Sequence, residues 1–162
     1  MIKVSRFKPE HQAAVKAMIS RIMAEEFGDA LSAYPMDDLD QVEKSYGALG
    51  EAFFVALDSD KVVGTVAIKK EDARVALLRR LFVSPDFRGR KIGSKLIAGA
   101  LEFCKDVGYQ EIVFKTTSKM TGAILICQKS GFVQRARLNL GALELMKFSL
   151  GLGNFCASSE KK

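Results

Sequence analysis

The apolar positions of this chain change period several times, and each change marks an element. Ile2 to Phe7 alternates as a first strand, and Pro9 opens a helix. There Ala14, Val15, Met18, Ile19, Ile22 and Met23 recur at helical spacing until Gly28. Asp29 to Gly50 is the least regular stretch, with a short helix through Val42 and Tyr46. Ala52 to Leu57 and Val62 to Ile68 read as an antiparallel hairpin joined by Asp58, Ser59, Asp60 and Lys61, and Gly64 marks a bulge or a close approach of another element. Glu71 and Asp72 turn the chain into a strand from Val75 to Val83. The next helix places Ile92, Leu96, Leu101, Cys104 and Val107 on its buried face and stops at Gly108. Glu111 to Thr117 is a strand, Thr121 to Ser130 a short helix carrying Ile124, Leu125 and Cys127, and Phe132 to Arg137 and Leu143 to Leu150 are the last two strands.

Strand, helix and strand from Val75 to Thr117 form a crossover, so the two strands should be parallel and the connection right-handed. The segment between them holds the clearest chemistry. Leu81-Phe82-Val83 ends at Ser84-Pro85-Asp86, and the basic run from Arg88 to Ser94 then sits at a helix start. Amides at a helix start have no partner within the helix, and the macrodipole adds about half a positive charge, so the loop suits a phosphate or pyrophosphate. Gly89 and Gly93 admit close approach, while Arg88, Arg90, Lys91 and Lys95 add charge. The plain alternative is a capped helix with solvated basic residues.

The 162 residues are 48% hydrophobic without a long polar tract, which predicts one domain over residues 1–150 and a flexible tail over 151–162. Three cysteines and a single histidine support neither a disulfide framework nor a metal site, and suggest a reducing compartment. His11 is expected to be an exposed polar residue. Charges interrupt the N-terminus before a signal core could form and no run approaches a membrane span, so a cytoplasmic protein without membrane association is expected. The net charge of +6 is dispersed, with no tryptophan and no aromatic residues interleaved among basic ones, which argues against nucleic acid. Asp37, Asp38 and Asp40 either attract a cationic amine or serve as capping partners of a helix start. The apolar last strand and tail suggest a homodimer.

Leu81-Phe82-Val83-Ser84-Pro85 leading into Arg88-Gly89-Arg90-Lys91-Ile92-Gly93-Ser94, followed by a helix that ends in Gly131-Phe132, resembles the GNAT superfamily of acetyl-CoA-dependent N-acetyltransferases. The family pattern is Arg or Gln, two residues, Gly, one residue, Gly or Ala; Arg88 and Gly93 match, and Lys91 takes the first glycine position, which requires a negative φ. The resemblance implies a mixed α/β (α+β) fold: a six- to seven-stranded, mostly antiparallel sheet with a parallel central pair and flanking helices. It implies that amides from Arg88 to Ser94 hold the pyrophosphate of acetyl-CoA and that Leu81, Phe82 and Val83 line the pantetheine arm. It further implies direct attack by a small-molecule or peptide amine on the thioester. Two departures stand out. Cys127 and Met120 replace a tyrosine that serves as general acid and an asparagine that touches the coenzyme, so Cys127 is either a substitute acid or a buried structural thiol. No glutamate stands near Leu77 to act as base, leaving Glu71, Asp72, the Asp37 to Asp40 loop or solvent. A coenzyme-binding sensor with little transfer activity is the alternative reading.

Overall fold

The computed structural model describes residues 1–28 and 35–152. Seven strands form one sheet in the order β1-β2-β3-β4-β5-β7-β6. They are β1 Ile2–Arg6, β2 Ala52–Asp58, β3 Lys61–Lys70, β4 Val75–Val83, β5 Glu111–Thr117, β6 Val133–Leu140 and β7 Leu143–Gly151. Every neighbouring pair is antiparallel except β4 and β5, as the crossover rule requires.

Helix α1 (Gln12–Glu26) and the one-turn α2 (Val42–Ser45) cover one face of the sheet, and α3 (Ile92–Val107) and α4 (Thr121–Lys129) cover the other. Each face has its own core. Val15, Ile19, Ile22 and Met23 of α1 pack on Phe53, Val55, Ala67 and Phe82, whereas Ile92, Leu96, Ile97 and Ala100 of α3 pack on Ala56, Val66, Ile68 and Phe114. Gly64 serves both purposes expected of it. β2 shifts register between Ala56 and Leu57 opposite it, and a Cβ there would lie 2.9 Å from Leu96 Cδ1 and 3.1 Å from the Phe82 carbonyl oxygen. The glycine therefore sets how closely α3 lies on the sheet.

Several expectations are corrected. The buried face of α3 runs through Ile92, Gly93, Leu96, Ile97, Ala100 and Cys104; Leu101 is half-buried and Val107 is exposed, because the stripe lies one position off the one read from the largest side chains. Leu125 is likewise exposed. His11 is buried at 7% exposure, its Nδ1 accepting from the Lys8 amide at 3.0 Å and its ring edge-on to Phe7. It thus closes the first turn before α1 instead of facing solvent. Position 151 still belongs to β7: Gly151 pairs with Glu111, and Leu152 is buried with its amide donating to the Gln110 carbonyl at 2.6 Å. Positions 153–162 lie outside the described residues, as do 29–34 of the irregular stretch. The last strand cannot supply a free edge for dimerisation, since β7 lies between β5 and β6; the edge belongs to β6, whose eight residues are all exposed.

Candidate active site

The sheet opens where its two parallel strands meet. β4 and β5 are in register only from Val75 opposite Glu111 to Leu78 opposite Phe114, after which they part. Arg80 is the cause on the β4 side. Its φ of +54° breaks the strand, and the β3–β4 register shifts between Thr65 and Ala67 opposite it. The bulge is held from behind by Thr65, whose hydroxyl donates to the Arg80 carbonyl at 2.7 Å.

On one side of this opening lies a groove of about 730 Å³ against the start of α3, and on the other a cavity of about 380 Å³ bounded by β4, β5, β6 and β7. The two share Leu81, Phe82, Met120 and Ala123, so they adjoin along a common wall. Leu81, Phe82, Val83, Arg88, Gly89, Lys91, Ile92, Gly93 and Ser94 all line the groove. Arg90 does not; its guanidinium stacks over the Phe87 ring at 4.8 Å.

The geometry of the groove suits an anion. Gly89 and Lys91 are both left-handed (φ +81° and +63°), and such residues interleaved with ordinary ones turn successive amides toward one concave side. No side chain caps the first turn of α3, so its amides remain available to a ligand. Lys91 does not take the negative φ required of it: it pays left-handed strain at the position where glycine would be free of it. Gly93 is needed for a neighbour as well, since a Cβ there would come within 2.5 Å of Ile126 Cδ1 on α4. The Arg88 guanidinium is already engaged, donating from both Nη atoms to Glu26 at 3.0 Å and from Nε to the Val83 carbonyl at 3.0 Å. This bridge ties α1 to the mouth of the groove.

The described part of the irregular segment before β2 is clamped by polar contacts. Gln12 donates to the Leu39 carbonyl at 2.6 Å and accepts from the Val42 amide at 3.0 Å; Lys16 meets Asp40 at 2.7 Å; Lys69 donates to the Ser45 carbonyl at 2.6 Å. At the centre, Arg80 donates to both carboxylate oxygens of Asp38 and to the Pro35 carbonyl, and the Tyr46 hydroxyl donates to Asp38 as well. Burial pushes the Asp38 carboxyl up, but the hydrogen bonds from Arg80 and Tyr46 and the charges of Arg80 and Arg79 outweigh it and hold the group below its ordinary value. Burial and the bond to Asp38 raise the Tyr46 hydroxyl. Asp38 and Asp40 are thus spent on anchoring, and Asp37 stands exposed at the first turn of its short helix; none of the three lines either space.

None of the proton-transfer side chains named from sequence lines the opening, Asp37, Asp38 and Asp40 included, and Glu71 sits in the β3–β4 turn, its amide donating to the Val75 carbonyl at 3.0 Å. Cys127 is fully buried, lines neither space, and burial alone pushes its thiol up to about 12. Asp72 caps the β3–β4 turn, accepting from the Arg74 and Val75 amides at 2.8 and 2.9 Å, at the far end of β4. Met120 does reach it, at the start of α4 and on the wall shared by both spaces. Arg80, Tyr46, Gln12 and Glu26 went unnoticed in the sequence. Only Arg80 left a signal: Arg79-Arg80 inside Val75–Val83 puts two charges in succession where a regular strand would bury one of them.

Comparison with known proteins gives a consistent result. The family model described as acetyltransferase (GNAT) family matches residues 16–132. N-acetyltransferase 8B of Homo sapiens is 35% identical over 101 residues, 59% of this chain and 44% of the relative. N-alpha-acetyltransferase 30 of Schizosaccharomyces pombe is 35% identical over 92 residues, 54% of this chain and 61% of the relative. The chain therefore matches about half the length of these curated relatives. Among solved structures, a GNAT-family acetyltransferase from Staphylococcus aureus superposes with a TM-score of 0.82 at 24% identity, covering 94% of this chain and 99% of its own. A Salmonella typhimurium protein solved with its cofactor acetyl-CoA gives 0.77 at 16% identity, covering 93% and 94%.

Proposed function

Since the chain belongs to the GNAT family of acetyltransferases, we propose that it transfers the acetyl group of acetyl-CoA to a primary amine of a small molecule or peptide. The observation that carries the reading is the opening between β4 and β5, where an anion-suited groove adjoins a separate cavity. The coenzyme supplies the thioester: the amine nitrogen bonds to its carbonyl carbon, the carbon–sulfur bond breaks, the sulfur leaves as thiolate, and the nitrogen's proton is lost to solvent.

The chain's own part is mainly placement. The left-handed turns at Gly89 and Lys91 and the start of α3 hold the pyrophosphate, and β4 beyond Leu78, with no ladder partner on β5, offers its free edge to the extended arm. Leu81, Phe82, Met120 and Ala123 surround the gap and keep water from it. Holding two reactants in one gap supplies effective molarities of about 10⁵ to 10⁸ M.

Acid–base assistance is weak by construction. Among the described residues no Asp or Glu lines the cavity, and Glu26, which lines the groove, is paired with Arg88. A thiol held at about 12 would protonate a thiolate of ordinary pKa near 8.5 uphill by about three powers of ten, so Cys127 is assigned to the core. The acceptor must then arrive largely neutral. An amine of pKa near 10 costs roughly 4 kcal/mol to deprotonate at pH 7, and one near 8 costs about 1.4, which favours a weakly basic amine.

A thiol-release assay with acetyl-CoA over a panel of amines tests the proposal. Release that depends on amine and saturates in both substrates is the expected result. Coenzyme binding without release for any amine would leave a coenzyme-binding module in its place.

A further inference from the structure

Among the described residues, the cavity beyond the gap is walled by five cations and no carboxylate. Arg79, Arg80, Lys115, Arg137 and Lys147 line it. Two are already neutralised, Arg80 by Asp38 and Arg137 by Glu144 at 3.1 Å. Arg79, Lys115 and Lys147 form no ion pair with any described residue, although the charge of Arg79 is felt at Asp38.

The placement of these three is costly. Lys115 and Lys147 stand directly opposite each other on β5 and β7, and like charges in that position weaken a sheet. Leu77 pairs with Val113, so strand alternation puts Arg79 and Lys115, two residues further along each strand, on that same face. Three positive charges thus share one face of the sheet in the lining of this cavity. Around them the wall is apolar, with Leu78, Phe114, Leu138, Leu145 and Met146.

Resting on the transferase reading, we infer that the acceptor is a small amine carrying an anionic group, a carboxylate or phosphate, beside an apolar body, and that Arg79, Lys115 and Lys147 seat the anion. The cationic amine expected from the Asp37 to Asp40 loop is the wrong charge for this cavity. The same cations disfavour an ammonium ion nearby, which shifts the acceptor toward its reactive neutral form without a general base.

The test compares initial rates for leucine, leucinamide and an aminoalkyl phosphonate of matched chain length, with acetyl-CoA saturating. Leucinamide has the less basic amine, so intrinsic reactivity at neutral pH favours it. The expected result is the reverse: kcat/KM at least about tenfold higher for leucine or the phosphonate, their ratio telling carboxylate from phosphate. Lys147→Gln should remove about tenfold of that preference, leave the KM for acetyl-CoA unchanged, and leave the melting temperature equal or higher, because it relieves the Lys115 repulsion. Equal or better use of leucinamide, or an equal loss for both amines in Lys147→Gln, would overturn the inference. Should no amine be acetylated, the transferase reading fails separately. The anion seat is then read by thermal shift, with N-acetyl-leucine stabilising the wild type more than N-acetyl-leucinamide does and Lys147→Gln abolishing the difference; equal shifts would sink it.

Discussion

Replacing Asp38 by Asn isolates the contact that fixes the segment before β2 to the β4 bulge. The Arg80 and Asp38 side chains are only 6% and 14% exposed, so the substitution leaves a guanidinium buried against a neutral amide. Breaking a buried pair by removing one partner costs about 3–5 kcal/mol. Asn keeps the volume and one acceptor for Arg80 or Tyr46, which puts the loss near the lower end, about 3 kcal/mol, or roughly 6–12 °C in melting temperature for a chain of this size. Urea unfolding at pH 7 measures it directly. A double replacement, Asp38→Leu with Arg80→Met, should lose far less than the two single changes summed, because neither charge is then stranded. The pH profile carries the same information. Since the carboxyl titrates lower in the folded chain than in the unfolded one, its contribution is complete above the ordinary carboxylate range and is lost as pH falls through the folded value. Asp38→Asn should lack that acid limb. A loss under about 1 kcal/mol, or a double mutant that is simply additive, would refute the reasoning.

Lys91 holds a left-handed φ of +63°, and Lys91→Gly should be more stable than Lys91→Ala by about 1 kcal/mol in denaturant unfolding, because alanine keeps the strain that glycine relieves. Gly64→Ala should cost about 1–3 kcal/mol, measured the same way, since the Phe82 carbonyl that the new Cβ meets at 3.1 Å belongs to the backbone of β4 and can yield only by parting β3 from β4. Burial keeps the Cys127 thiol protonated up to about 12, so its contribution to stability is complete below the ordinary thiol value and fades as pH rises from there toward 12. Cys127→Ala should keep transfer activity while losing packing stability; a collapse of turnover at unchanged acetyl-CoA affinity would restore the thiol to the chemistry.

The sheet, the parallel pair and the glycine-bearing turn before α3 were legible because each has a local cause. Period-two runs, Pro85 after Val83, and Gly89 to Gly93 before a helical stripe act within a few residues of themselves. What escaped was what depends on partners distant in sequence. Asp38 looks like a free charge until the fold brings Arg80, 42 positions away, against it, and Arg88 looks like a coenzyme cation until Glu26, 62 positions away, engages it. Lys115 and Lys147 are unremarkable surface lysines in their own strands; only the β5–β7 register makes them a facing pair. The charge of this cavity is therefore a property of topology. The α3 stripe was misread for a simpler reason. Gly93 and Ala100 carry little hydrophobic weight in a sequence, yet close approach to α4 and the sheet selects small residues on that face.

The central claim is that the gap between β4 and β5 brings an acetyl donor and an amine into direct contact. Incubation with acetyl-labelled acetyl-CoA and leucine, followed by mass analysis of the small molecules and the intact chain, tests it in one step. The label should appear on the leucine nitrogen in step with free thiol, and never on the protein. Thiol release with the label in acetate, or label retained on the chain, would contradict the account.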